Sequence, residues 1–85
     1  MTQKVVEIKL QHGLEARPVA VLVQVASKYD STIHLETAGK RVNAKSIMGM
    51  MSLGLDWGET VTVIADGADE AAAVSDIEKY LCEEA

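Results

Sequence analysis

Polar and apolar positions alternate at the start of the chain, in "KVVEIKL". Val6, Ile8 and Leu10 point one way, and Lys4, Val5, Glu7 and Lys9 are mostly polar. A period of two predicts a strand with one buried face. "QHG" breaks it. From Ala16 to Lys28 the period becomes helical, with Val19, Leu22, Val23 and Ala26 on one stripe. Pro18 falls in the first turn, where its missing N–H costs nothing. "TIHLET" and "KRVNA" read as two strands joined by a hairpin at "AG", with Ile33, Leu35 and Val42 turned inward. In "SIMGMMSLG", Ser46 is a good N-cap and Gly54 a good terminator for a short helix. "ETVTVIAD" is a strand with Val61, Val63 and Ala65 on one face. "DGADE" turns, and Asp69 is expected to cap a last helix whose stripe is Ala73, Val74, Ile77 and Leu81.

The order is β-α-β-β-α-β-α. A four-stranded antiparallel sheet with one face buried under three helices is an α+β open-faced β-sandwich. The chain has 85 residues, so residues 1–85 are expected to form a single domain. Such a chain buries only ~60–65% of its unfolded surface, which leaves room for one core and a surface site rather than a deep pocket.

Charge narrows the function. A net charge of −5 argues against direct nucleic-acid binding, which needs a cationic surface to displace counterions. It leaves open binding to a DNA-binding protein. No apolar run approaches the ~20 residues that cross a bilayer, so no membrane partner is expected. Lys4, Glu7 and Lys9 interrupt the N-terminal segment, which therefore lacks a signal-peptide core. The lone Cys82 permits no internal disulfide, as suits a reducing compartment. A cytoplasmic protein is expected. There is no nucleophile–base pair, metal-ligand cluster or nucleotide loop, so the sequence predicts neither an enzyme nor a bound metal or cofactor.

Two helix starts invite chemistry. At Leu14–Pro18, unpaired backbone N–H groups and the helix dipole attract anions, and Arg17 adds a fixed cation with phosphate-matching donors. At Lys45–Met48, a phosphate on Ser46 would sit against the positive helix end, where it stabilises. Without it, Ser46 is a simple cap. Apolar residues are also in excess. Ala20 and Val21, with Gln24 nearby, are left over beside the first helix's stripe. Ile47, Met48, Met50 and Met51 crowd a helix too small to bury them all, with Met50 and Leu53 the expected core members. Methionine suits a surface that meets partners, so these residues suggest a protein-docking face.

Two long segments carry a resemblance to a known family. "HGLEARPVAVLVQVASKYDS" is similar to the active-site segment of HPr, the phosphocarrier of the bacterial sugar phosphotransferase system. "GKRVNAKSIMGMMSLG" looks like the regulatory-serine segment of HPr proteins from Gram-positive bacteria, and "GADEAAAVSDIEKYL" resembles the family's last helix. In that family a histidine stands between "GL" and "AR", takes phosphate from enzyme I and passes it to enzyme II components. Here the position is Glu15. A carboxylate is a poorer phosphoryl acceptor than imidazole, and its acyl phosphate is labile. His12 lies three residues earlier, off the motif position. A branch of the family, Crh (catabolite repression HPr-like), loses the histidine and keeps "KSIMG". It carries glutamine at the first site, so Glu15 is a further departure. Glu15 either favours the helix end and pairs with Arg17, or stands in for a phosphohistidine with half its charge.

The resemblance implies that Ser46 is the working residue. HPr kinase/phosphorylase would phosphorylate it with ATP, and the phosphoserine form would bind catabolite control protein A, a LacI-type repressor, as its co-repressor. Glu15, Arg17, Ala20, Val21, Gln24, Ile47, Met48 and Met51 would form the face that meets these partners. Two alternatives stay open: a phosphocarrier that still relays through Glu15 or His12, and an interaction module that works unmodified. Exposed edge strands allow strand exchange between two copies, hence a homodimer. Trp57, in "LDWGE", is expected to pack over the sheet edge.

Overall fold

Seven elements follow in the expected order: β1 (Thr2–Glu7), α1 (Ala16–Ser27), β2 (Thr32–Thr37), β3 (Lys40–Asn43), α2 (Ile47–Met51), β4 (Thr60–Asp66) and α3 (Glu70–Leu81). The computed structural model describes residues 1–9, 16–53 and 58–82. Leu10, Gly54 and Trp57 lie outside the described residues. The strands form one sheet in the order β1-β4-β2-β3, and every neighbouring pair is antiparallel. The α+β open-faced arrangement is as expected.

The core lies between the sheet and the helices. Val6, Ile8, Ile33, Leu35, Val61, Val63 and Ala65 meet Val19, Leu22 and Ala26 from α1, Met50 from α2, and Ala73, Val74, Ile77 and Leu81 from α3. Every member of the expected α3 stripe is buried. Val23 and Val42 are half-buried against the same cluster. Pairing beyond β1 continues irregularly. The Ile8 amide donates to the Glu59 carbonyl (2.8 Å), and the Lys9 amide to the Leu81 carbonyl at the end of α3 (2.7 Å).

Two details mark the faces of the sheet, and one expectation about α3 needs correction. Lys4 falls on the same face as Val6, as a period of two requires. Register pairs it with buried Val63, and residues opposite each other in an antiparallel pair lie on the same face. Lys4 thus stands at the rim of the helix-covered face, where its ammonium meets Glu78 of α3 at 2.7 Å. Long basic side chains can lay an aliphatic stem along apolar surface with the charge outside, so a lysine is accommodated at an inward position of the alternation. Ile64, on the open face between Gln3 and His34 in register, is nevertheless only 6% exposed. Central strands lose solvent to their neighbours on both sides.

The correction concerns Asp69. It occupies the N-cap position of α3, but its side chain makes no cap hydrogen bond. Its carboxylate instead accepts from the backbone amides of Asp30 (2.9 Å) and Ser31 (3.0 Å), and from the buried Ser31 hydroxyl. The α1–β2 turn, rather than α3, holds it. Glu70 binds in the same region, accepting from the Thr2 hydroxyl (2.5 Å) and the Gly67 amide (3.3 Å). The Ser31 hydroxyl and the Asp30 amide hold Asp69 below its ordinary carboxylate range. The Thr2 hydroxyl, foremost, lowers Glu70 from 4.5 to about 2.

Both groups are depressed in the fold. Their contribution is therefore present above the unfolded values and is lost as pH falls through the folded ones. The urea midpoint should fall as pH drops from about 4.5 towards about 2, the interval over which Glu70 is shifted. Glu70→Gln should flatten part of that fall. A pH profile identical to wild type would remove the linkage.

The hairpin between β2 and β3 turns on Ala38 and Gly39, both with positive φ (50° and 77°). Two-residue turns of this kind match the twist of the strands and favour Asn-Gly. Ala38 is the strained member, since a left-handed conformation costs an ordinary L residue about 1–2 kcal/mol. Ala38→Asn should raise stability by about 0.5–1 kcal/mol, read as a higher urea midpoint with an unchanged slope.

Candidate functional site

Ser46 is fixed by its neighbours in sequence. Asn43 ends β3, and its side-chain oxygen accepts from the Lys45 amide (2.8 Å) while its carbonyl accepts from the Ser46 amide (3.0 Å). The chain reverses there and α2 starts. Ser46 has extended backbone angles, φ −113° and ψ 115°, and its Oγ accepts from the Gly49 amide at 3.2 Å. Its carbonyl accepts from Met50 (3.0 Å). This is the N-cap expected from the sequence.

α2 has only five residues, too few to be stable alone. It is held at both ends and from below. The Ser52 hydroxyl donates to the Gly49 carbonyl (2.6 Å), and the Lys40 ammonium reaches the Ser52 carbonyl at the helix's negative end (3.1 Å). Met50 is fully buried and Leu53 half-buried, as expected, and α2 packs on α1 and β3. Having Met50 inside forces its neighbours outward. Ile47 is 47%, Met48 84% and Met51 49% exposed.

From α1, Val21 is 38% exposed. Gln24 is exposed as well, and Ala20 half-buried. The Tyr80 hydroxyl of α3 donates to the Pro18 carbonyl (3.3 Å) and so ties down the first turn of α1. α1 packs on α2, and each of the two helices carries exposed apolar residues. Glu15 and His12 lie outside the described residues, as does the side chain of Arg17. The anion site expected at Leu14–Pro18 therefore has no described geometry. Among the described residues no group of histidine, cysteine, aspartate and glutamate could hold a metal ion, and no helix is long and apolar enough to cross a membrane. Cys82 is exposed.

One contact beside Ser46 was not foreseen. The Lys45 ammonium reaches the Tyr29 carbonyl at the end of α1, at 2.7 Å. A lysine next to a candidate phosphoserine invites the idea that it neutralises the phosphate. The signal for its actual partner, a carbonyl 16 residues earlier just past α1, is not local.

Comparison with known proteins places this chain in a family. The model of the family described as "PTS HPr component phosphorylation site" matches residues 2–83. The chain is 50% identical to the HPr-like protein Crh of Bacillus subtilis over 84 residues, covering 99% of each protein. Among solved structures, the phosphocarrier protein HPr from Bacillus anthracis superposes with a TM-score of 0.92 at 42% identity, covering 94% of this chain and 95% of that one. The crystal structure of Bacillus subtilis Crh, described as a swapped dimer, superposes with a TM-score of 0.77 at 49% identity, covering 95% and 93%. With a family match across nearly its whole length, and Crh proteins among its near relatives, the chain belongs to the HPr family.

Proposed function

We propose that this chain is a cytoplasmic regulatory protein of carbon catabolite repression, switched by phosphorylation of Ser46. The observation that carries the reading is the setting of Ser46. It heads a short helix whose outward residues, Ile47, Met48 and Met51, are exposed and apolar. In the step itself, the Ser46 Oγ attacks the γ-phosphorus of ATP, the bond to ADP breaks, and the hydroxyl proton passes to a base on HPr kinase/phosphorylase. The product carries about two negative charges and three acceptor oxygens at the positive end of α2. A basic pocket on catabolite control protein A grips them through charge-assisted hydrogen bonds. Ile47, Met48 and Met51, with Arg17, Ala20, Val21 and Gln24 of α1, supply the docking area, and Glu15 is proposed as a further member of that partner-binding set. The protein is the co-repressor and makes no direct contact with nucleic acid. Glu15, where the family has its histidine, leaves no competent relay.

The test is site mapping by mass spectrometry at neutral pH, because acyl and histidine phosphates are lost in acid. With HPr kinase/phosphorylase and ATP, one phosphate is expected on Ser46 and none in Ser46→Ala. That variant should lose its response to phosphorylation and remain folded, its lost cap costing about 0.5–2 kcal/mol. With enzyme I and phosphoenolpyruvate, no label is expected; label on Glu15 or His12 would restore the relay reading instead. Repressor affinity equal for the Ser46 and phosphoserine forms would favour an unmodified interaction module. The swapped dimer described for Bacillus subtilis Crh favours a homodimer for this chain too, since β1 and β3 are both edge strands. Sedimentation equilibrium giving the monomer mass at all concentrations would remove that proposal.

A further inference from the structure

Lys45 is half-buried, and its ammonium is committed to the Tyr29 carbonyl. That carbonyl is itself a fixed post. The Tyr29 amide continues the last turn of α1 by donating to Ala26 (3.2 Å), its ring packs against the core, and its hydroxyl donates to Asp76 of α3. A cation at the carbonyl end of a helix is also favoured by the dipole. At the other end of the same residue, the Lys45 amide is held by Asn43, and Ser46 follows directly.

The Asn43–Ser46 turn is therefore clamped to the end of α1 through one side chain. α2 is too short to orient its own cap. From this geometry we infer that Lys45 is a positioning residue for Ser46. It acts through the turn, holding the hydroxyl in the orientation in which the kinase receives it, and leaves the charge of the phosphate to be met by the partner. The inference rests on the proposal that Ser46 is the phosphorylated residue. It assigns Lys45 a role that its place beside Ser46 would not suggest.

Two variants of the full chain test it. Lys45→Met keeps the aliphatic stem and loses the donor; Lys45→Arg keeps a donor that can reach a carbonyl. In Lys45→Met, amide hydrogen exchange at Gly49 and Met50, which bond to Ser46, should quicken roughly five- to ten-fold, while Leu22 and Ile77 stay as in wild type. With HPr kinase/phosphorylase and ATP, kcat for Ser46 should fall about ten-fold with KM little changed, as expected when a nucleophile is bound but poorly aimed. Lys45→Arg should restore both.

Unchanged exchange in Lys45→Met would overturn the inference. So would a raised KM with unchanged kcat in both variants, which would mean that the kinase reads Lys45 directly. An arginine variant that behaves like the methionine one would also overturn it. If wild-type Ser46 takes no phosphate at all, the proposed function fails, and the exchange result still decides whether Lys45 holds the turn.

Discussion

Gly67→Ala is expected to destabilise the protein by about 2–4 kcal/mol. Gly67 sits between β4 and α3 with φ +156°, a conformation L side chains rarely adopt. Space is the second cost. A Cβ there would lie 2.6 Å from the Ser31 Oγ, 2.8 Å from the Ser31 Cα and 3.0 Å from its Cβ. Rotating the serine side chain cannot clear a clash with Cα, so the backbone must move. Ser31 is not free to yield, because it is buried and its amide and hydroxyl both donate to Asp69. Pushing it aside disturbs the junction that joins the α1–β2 turn to the start of α3.

Gly49→Ala is the control. A Cβ at Gly49 would meet Ser46 and Val42 only at 3.5 Å, ordinary contact, and alanine is the better helix former by about 1 kcal/mol. Urea denaturation of both variants checks the pair: a lower midpoint for Gly67→Ala, and an equal or higher one for Gly49→Ala. If Gly67→Ala matched wild type, Ser31 would have to be more yielding than its hydrogen bonds imply.

The second large effect is expected from Met50→Ala. Met50 is the buried residue of α2, with no exposed surface. Truncating a buried methionine to alanine costs about 2–5 kcal/mol, through lost transfer energy and the cavity left behind. The loss should be concentrated in α2. A five-residue helix has little stability of its own, and Met50 holds it to α1 and β3. Phosphorylation of Ser46 should therefore slow together with the loss of stability. Met48→Ala should do the reverse. Met48 is 84% exposed, so stability should stay within about 0.5 kcal/mol of wild type, while affinity of the phosphoserine form for the repressor falls. Denaturation midpoints, phosphorylation rates and repressor affinities for the two variants separate anchoring from docking. Equal behaviour of the two would mean that α2 does not divide its methionines in this way.

That division was half legible from sequence. Ser46 as cap, Met50 and Leu53 as the inward pair, and an apolar surplus on α2 all follow from spacing within one or two turns. The exposure of Val21 follows in the same way from the stripe of α1. The candidate face as a whole was less legible, because it needs α1 packed on α2, and no local pattern states that two helices meet. The role of Lys45 was not legible at all.

By itself, the sequence determined the kind and order of the elements and which positions are buried along α1, α3, β2 and β4. These depend on the period of apolar side chains, a property of residues within about four places of each other. It also carried the segments that match the family, with Glu15 between "GL" and "AR". Only the tertiary structure decided that Asp69 serves the α1–β2 turn rather than α3, that Gly67 must lack a side chain, that Lys4 pairs with Glu78 of α3, and that Lys45 reaches Tyr29. Asp69 and Ser31 are 38 residues apart, and Lys45 and Tyr29 are 16 apart. A polar group buried on folding takes whichever partner the packed chain brings within about 3 Å, and that choice is made only after the sheet and helices have closed on each other.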